Sequence, residues 1–203
     1  MFKLWKLVVV CAVCAAVIWA GGLLQDSHSL GENVIRLHVV ANSDSQEDQT
    51  LKLQVRDAVL QTLEELLVDC GSTEDAKIVL KNALSAVENA ATQVICAAGR
   101  TDAVSVSLAQ EEFDIRHYDT FTLPSGVYES LRIVIGEGQG KNWWCVVFPR
   151  LCMPTQTQQM EDPAVGAGFP DTLTGAVSNR EGYEIRFFLL DCLGKLQNFF
   201  HRG

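Results

Sequence analysis

The chain has 203 residues, 48% of them hydrophobic, and 25 Asp and Glu against 16 Lys and Arg give a formal charge of −9. A negative balance of that size excludes nucleic acid, or an anionic membrane surface, as a partner recruited by charge. The length allows one domain with a proper core and not comfortably two.

Lys3 and Lys6 precede an uncharged run from Leu7 to Leu24, LVVVCAVCAAVIWAGGLL. A basic start followed by apolar residues is what a translocon inserts with the positive end held inside, because Lys is costly in hydrocarbon whereas Leu, Val and Ile are favourable there. Residues 1–24 are therefore expected to be a signal peptide or a membrane anchor. The run sits at the short end of the roughly 20 residues that span a bilayer. Ala20-Gly21-Gly22 offers small residues to a signal peptidase, which tips the expectation toward cleavage. Val10 and Val13, standing before Cys11 and Cys14, exclude a lipoprotein signal. Everything beyond is expected to lie outside the cytoplasm, as a polar connector over 25–33 and a single globular domain over 34–203.

Val34 to Val40 (VIRLHVV) is rich in branched residues and reads as a strand buried on one face. Ala41-Asn42-Ser43-Asp44-Ser45 supplies turn and cap chemistry, and Glu47 and Asp48 suit the positive end of a helix dipole. A helix starts there, with Leu51, Val55, Ala58, Val59, Leu63, Leu66 and Leu67 as its apolar stripe. Cys70-Gly71 breaks it and Ser72 caps a second helix. Leu80, Leu84, Val87, Ala91 and Val94 mark one face of that helix, and Gly99 ends it.

The rhythm then changes to period two. Val104, Val106 and Leu108, then Phe113, Ile115, His117 and Phe121, predict paired antiparallel strands. Leu123-Pro124-Ser125-Gly126 is a turn, Val127 to Ile135 another strand, and Asn142 to Phe148 (NWWCVVF) a further one after a glycine-rich bend. Residues 149–182 have no sustained period and predict a long loop, and Tyr183 to Phe200, apolar nearly all round, predicts a packed terminal helix. The expected class is α+β: a mostly antiparallel sheet of about five strands, a helical hairpin and a C-terminal helix.

Beyond the export segment stand Cys70, Cys96, Cys145, Cys152 and Cys192. An extracytoplasmic compartment permits disulfides, and Cys145 and Cys152, separated by a short segment containing Pro149, are the pair expected to bridge. Cys70 and Cys96 end two successive predicted helices. An antiparallel hairpin would hold them about 30 Å apart, so they are not expected to pair.

Gly136-Glu137-Gly138-Gln139-Gly140-Lys141 superficially suggests a phosphate loop. A P-loop would need glycine where Ile135 stands and Ser or Thr where Asn142 stands, and the segment leads into a strand instead of a helix. It reads as a connection between strands. His28, His38, His117 and His201 show no HExxH or HxH spacing, and neither a Gly-x-Ser-x-Gly elbow nor an Asp-Thr-Gly or Asp-Ser-Gly motif is present. No catalytic set, metal site, cofactor or small-molecule substrate is therefore implied.

Two clusters remain. Arg36, His38, Asn42, Asp44, Asp48, Gln49, Lys52, Arg56 and Asp57 span the first strand and the start of the first helix, where 48, 52 and 56 share a face and predict an Asp48, Lys52, Arg56 ladder. The cluster serves equally as a capped, ion-paired helix start or as a partner-binding surface. Trp143-Trp144 must point to opposite faces of their strand, one into the core and the other in need of cover.

At these clusters the chain resembles the stage II sporulation protein R family. The matching runs are Ile35-Arg36-Leu37-His38-Val39-Val40-Ala41-Asn42-Ser43-Asp44-Ser45 with Glu47-Asp48-Gln49 and Leu51-Lys52 to Val55-Arg56-Asp57, and Leu123-Pro124-Ser125-Gly126-Val127-Tyr128 with Leu131 to Pro149, Leu151 and Cys152. Arg150 departs from the pattern, where the family would carry a second proline.

The resemblance implies a forespore protein of endospore-forming bacteria, secreted into the space between the forespore and mother-cell membranes. It would act there as a signal that activates a membrane-embedded aspartic peptidase and so triggers processing of pro-sigma-E. The peptidase would carry the catalytic aspartates. Partner contacts are expected on the polar cluster and one tryptophan, and at the membrane itself if residues 1–24 remain attached. A rival from another class is a secreted hydrolase of cell wall or peptide using His38 with Asp44. A third reading is a purely structural envelope component.

Overall fold

The structure, a computed structural model, describes residues 31–117, 122–149 and, singly, 5, 8, 9, 11, 14, 191, 192 and 195. In chain order these form β1 (Ile35–Val40), α1 (Gln46–Leu66), α2 (Thr73–Ala97), β2 (Val104–Phe113), β3 (Arg116–His117), β4 (Thr122–Leu123), β5 (Gly126–Ile135) and β6 (Asn142–Phe148). The expected export segment, the 149–182 loop and the terminal helix fall almost wholly outside the described residues. Among the described residues no helix is long and apolar enough to cross a membrane.

Both long helices begin where their caps predict. The Ser45 hydroxyl accepts the Asp48 N–H at 3.1 Å and the Ser72 hydroxyl accepts the Asp75 N–H at 3.1 Å. Glu47 and Asp48, then Glu74 and Asp75, occupy the two first turns, where carboxylates meet the positive helix end. The helices form the expected hairpin against one face of the sheet. Cys70 and Cys96 are not bridged to each other, in agreement with the hairpin geometry.

The sheet has the order β2-β5-β1-β6. β5 pairs antiparallel with β2 and parallel with β1, which places Ile35 opposite Glu129. β1 also pairs antiparallel with β6, which places His38 opposite Trp144. Two expectations are corrected here. The sheet is mixed and four-stranded, because the hairpin of helices and β2 carry the chain across before β5 returns alongside β1. Residues 104–113 form one continuous strand whose partner is β5, and only the two-residue strands β3 and β4 pair in the turn that follows.

The buried face of the sheet carries Ile35, Leu37, Val39, Leu131, Ile133, Ile135, Cys145 and Val147. Against it pack Leu51, Val55, Val59 and Leu63 of α1 and Ala76, Leu80, Val87, Ala91 and Ile95 of α2. Each fully buried Leu or Ile contributes about 2 kcal/mol of transfer free energy, so this layer supplies the main stabilisation. Strand alternation sends Arg36, His38, Glu111, Phe113, Tyr128, Arg132 and Trp144 to the other face. Arg36, Phe113, Tyr128, Ser130 and Val146 are buried on that face too, whereas His38, Glu111, Arg116, Arg132 and Trp144 keep part of their surface in solvent. That partly exposed region, without a layer of helices among the described residues, is the open face.

Candidate functional site

The predicted polar cluster is divided by the fold into three places. The first is the joint at the end of β1. There the 136–141 bend crosses from β5 to β6 over the end of the strand that separates them. Asn42 is the pin: its Nδ2 donates to Asp48 Oδ2 at 2.9 Å and its Oδ1 accepts the Glu137 N–H at 2.9 Å. Ser43 Oγ donates to the same Asp48 oxygen at 2.6 Å, and Arg100 Nη1 meets Asp48 Oδ1 at 2.7 Å. Asp44 Oδ1 accepts the Lys141 N–H at 2.7 Å. Lys52 Nζ donates to Gln49 Oε1 at 2.7 Å and to the Lys141 carbonyl at 2.9 Å, while Gln49 Nε2 donates to the Ser43 carbonyl at 2.9 Å.

These bonds replace the expected Asp48, Lys52, Arg56 ladder. Asp48 and Lys52 are buried; Asp48 is held by Asn42, Ser43 and Arg100, and Lys52 by Gln49 one turn back and by the Lys141 carbonyl, so neither pairs with the other or with Arg56. Hydrogen bonds from Ser43 and Asn42, aided by Arg100 and opposed by burial, hold the Asp48 carboxyl below its ordinary range. Burial lowers the Lys52 ammonium, with Asp44 pulling the other way.

The bend itself is no phosphate cradle. The N–H groups of Gly136, Gly138, Gln139 and Gly140 donate to the carbonyls of Ala103, Ile135, Asn42 and Ala41, and those of Glu137 and Lys141 donate to Asn42 and Asp44. No backbone donor is left for an anion. Gly136 has φ +58°, and a Cβ there would strike Asn42 Oδ1. Glycine is what lets the bend lie this close to β1.

The second place is the surface of α1, where Arg56 pairs with its neighbour Asp57 at 2.7 Å and its guanidinium lies 4.9 Å from the centre of the Trp143 ring. Trp143 is half-buried beside the core under that cover.

The third place is the open face. Arg36 is fully buried, with its guanidinium carbon 3.8 Å from the centre of the Phe113 ring and 5.2 Å from that of Tyr128. Such contacts compensate a charge taken out of water. His38 Nδ1 lies 3.1 Å from Glu111 Oε2, and Nε2 lies 3.0 Å from Asn142 Oδ1. The imidazole also stacks on Trp144 at 5.6 Å, and the Arg116 guanidinium sits 3.8 Å over the same indole. Glu111 Oε1 pairs with Arg132 at 3.2 Å. Burial pushes the Glu111 carboxyl up, but the His38 hydrogen bond and the charges of His38 and Arg132 outweigh it, leaving the group below its ordinary value.

Trp144 is covered by His38 and by Arg116, a residue that the sequence left unmarked, as it left Glu111 and Asn142, which hold His38, and Arg132, which pairs with Glu111. The spacing of Glu111 and Phe113 at i, i+2 carried a signal for Glu111, since both face one way on a strand. Arg116 is positioned by an anchor next to it. The Ile115 N–H donates to Ser125 Oγ at 3.0 Å, and that hydroxyl donates to the buried Asp191 at 2.6 Å.

Among the described residues, no group of three or more His, Cys, Asp or Glu side chains could hold a metal ion. Cys145 is buried in the core layer, and Cys152, its expected partner, lies outside the described residues.

The family model described as stage II sporulation protein R matches residues 31–158, which take in the joint, the open face and both tryptophans. The chain belongs to the stage II sporulation protein R family. It is 29% identical over 183 residues to the stage II sporulation protein R of Bacillus subtilis (strain 168), covering 81% of this chain and 82% of that protein. No solved structure matches. Membership supports a role in sporulation, and the segments that carried the resemblance in the sequence lie in the joint, in β5 and in β6.

Proposed function

We propose that this family member is a secreted signalling protein without chemistry of its own. It lies between the forespore and mother-cell membranes, where it binds and activates the membrane-embedded aspartic peptidase that processes pro-sigma-E. The observation that carries the reading is the family match across residues 31–158. The geometry of the two residues the hydrolase reading needs adds to it. Asp44 is committed to the Lys141 N–H, and His38 is held between Glu111, Asn142 and Trp144. An acid and base pair requires both groups within reach of one substrate atom, and these two are engaged with different partners.

A signal of this kind acts only by binding the active state of its receptor better than the inactive one. The reading includes a Cys145 to Cys152 bridge, which would tie the end of β6 to the chain that follows it. The test is co-expression of the exported domain with the peptidase and its pro-sigma substrate, with cleavage followed by gel shift. Cleavage should appear with this domain and not with an unrelated exported one. Equal cleavage with both, or none with this domain, would sink the proposal. His38→Ala, which the hydrolase reading requires to abolish activity, should weaken cleavage without reducing it to the level of the unrelated domain.

A further inference from the structure

We infer that the open face, centred on Arg116 and Trp144, is a docking surface for a carboxylate-bearing segment of a partner protein. The first ground is charge. The chain as a whole carries −9, yet this face brings the buried Arg36 and the more exposed Arg116 and Arg132 together with the Glu111 carboxylate. Glu111 is already divided, with one oxygen to Arg132 and the other to His38. Arg116 has no ion pair with any described residue, and Arg132, on the far side of His38 from Trp144, is 46% exposed on the same face.

The second ground is geometry. A guanidinium stacked on an indole offers its N–H edge outward, and that edge matches both oxygens of a carboxylate. Stacking also restrains the side chain before binding, so less freedom is lost when a ligand arrives. The indole is fixed in turn by His38, and the backbone beside Arg116 is fixed by Ser125 and Asp191. Half-buried aromatic and arginine side chains held in this way are the type that dominates binding energy at protein interfaces. The helix-covered face has one similar pair, Arg56 against Trp143, but there the guanidinium is already ion-paired to Asp57.

The identity of the partner rests on the activator reading, but the chemistry of the surface does not. The experiment therefore has two arms. In the first, a Glu-rich hexapeptide is titrated into the exported domain and followed by NMR at the Trp144 indole N–H and the arginine Nε–H groups. Saturable shifts should appear at Trp144 and Arg116, weaken at high salt, and be absent with a Lys-rich hexapeptide. Arg116→Glu should abolish them, Arg116→Lys should weaken them several-fold, and Lys81→Glu on the exposed side of α2 should leave them unchanged. No shift at these groups, or identical shifts with Arg116→Glu, overturns the inference. So does tighter, Arg116-dependent binding to phosphatidylglycerol vesicles than to the peptide, which would make the ligand a lipid headgroup.

In the second arm the same variants enter the cleavage assay, where Arg116→Glu should reduce activation more than tenfold with the fold intact by circular dichroism. If the wild-type domain never activates, the activator reading fails while the peptide titration still decides the surface. If Arg116→Glu activates as well as the wild type, the surface fails while the activator reading stands.

Discussion

At the joint, six consecutive N–H groups, from Gly136 to Lys141, and the side chains of Asn42, Ser43, Asp48 and Lys52 all find partners inside the chain. On the open face, Arg116 lies against Trp144 without an ion pair among the described residues. Both regions look equally polar in the sequence. The difference lies in whether the polar groups are satisfied at home. A saturated network specifies the path of the chain and has little left to offer a ligand, whereas a positioned but unsaturated group keeps its donors for one.

Substitutions separate the two. The largest expected effect is at the joint, where Gly136→Val combines a positive φ with a collision against Asn42, and should cost about 3 kcal/mol or more in urea unfolding. Asp48→Asn should cost about 2 kcal/mol, since it removes the anion that Ser43, Asn42 and Arg100 surround. It should also change the response to acid. The folded pKa of Asp48 is depressed, so its contribution is complete above the unfolded value of about 3.9 and disappears as pH falls through the folded value. Urea midpoints between pH 6 and pH 3 should therefore fall less steeply in the variant than in the wild type.

Ser72→Ala, at a cap remote from both regions, should cost about 1 kcal/mol and leave signalling unchanged once corrected for folded protein. The smallest effect on stability is expected for Arg116→Glu, within about 0.5 kcal/mol, with the greatest loss of activation. A stability loss as large as that of Asp48→Asn, without loss of activation, would make Arg116 part of the scaffold and erase the distinction.

The sequence was most legible where local rules act alone. Ser45 and Ser72 with the acids after them marked both helix starts, and the branched and alternating runs marked β1, β5 and β6. The order of the strands was not legible, because the parallel pairing of β1 with β5 joins residues far apart in the chain and leaves no local trace. Arg36, His38 and Asp48 look like one cluster in the sequence, yet the pleat of β1 turns the first two to a different face from the joint. Arg116 was invisible for a similar reason. Its importance comes from Trp144, and nothing in the residues around either one announces the other.

The insertion of β1 between β5 and β6 also sets the timing of folding. Ile35 pairs with both Glu129 and Phe148, so β1 has no place in the sheet until both long helices, β2 and then β5 have been synthesised. Closing such long loops before any pairing is gained slows folding. A chain that stays open this late is suited to being threaded through a membrane pore, as the proposed export requires. It would reach its final shape only on the far side.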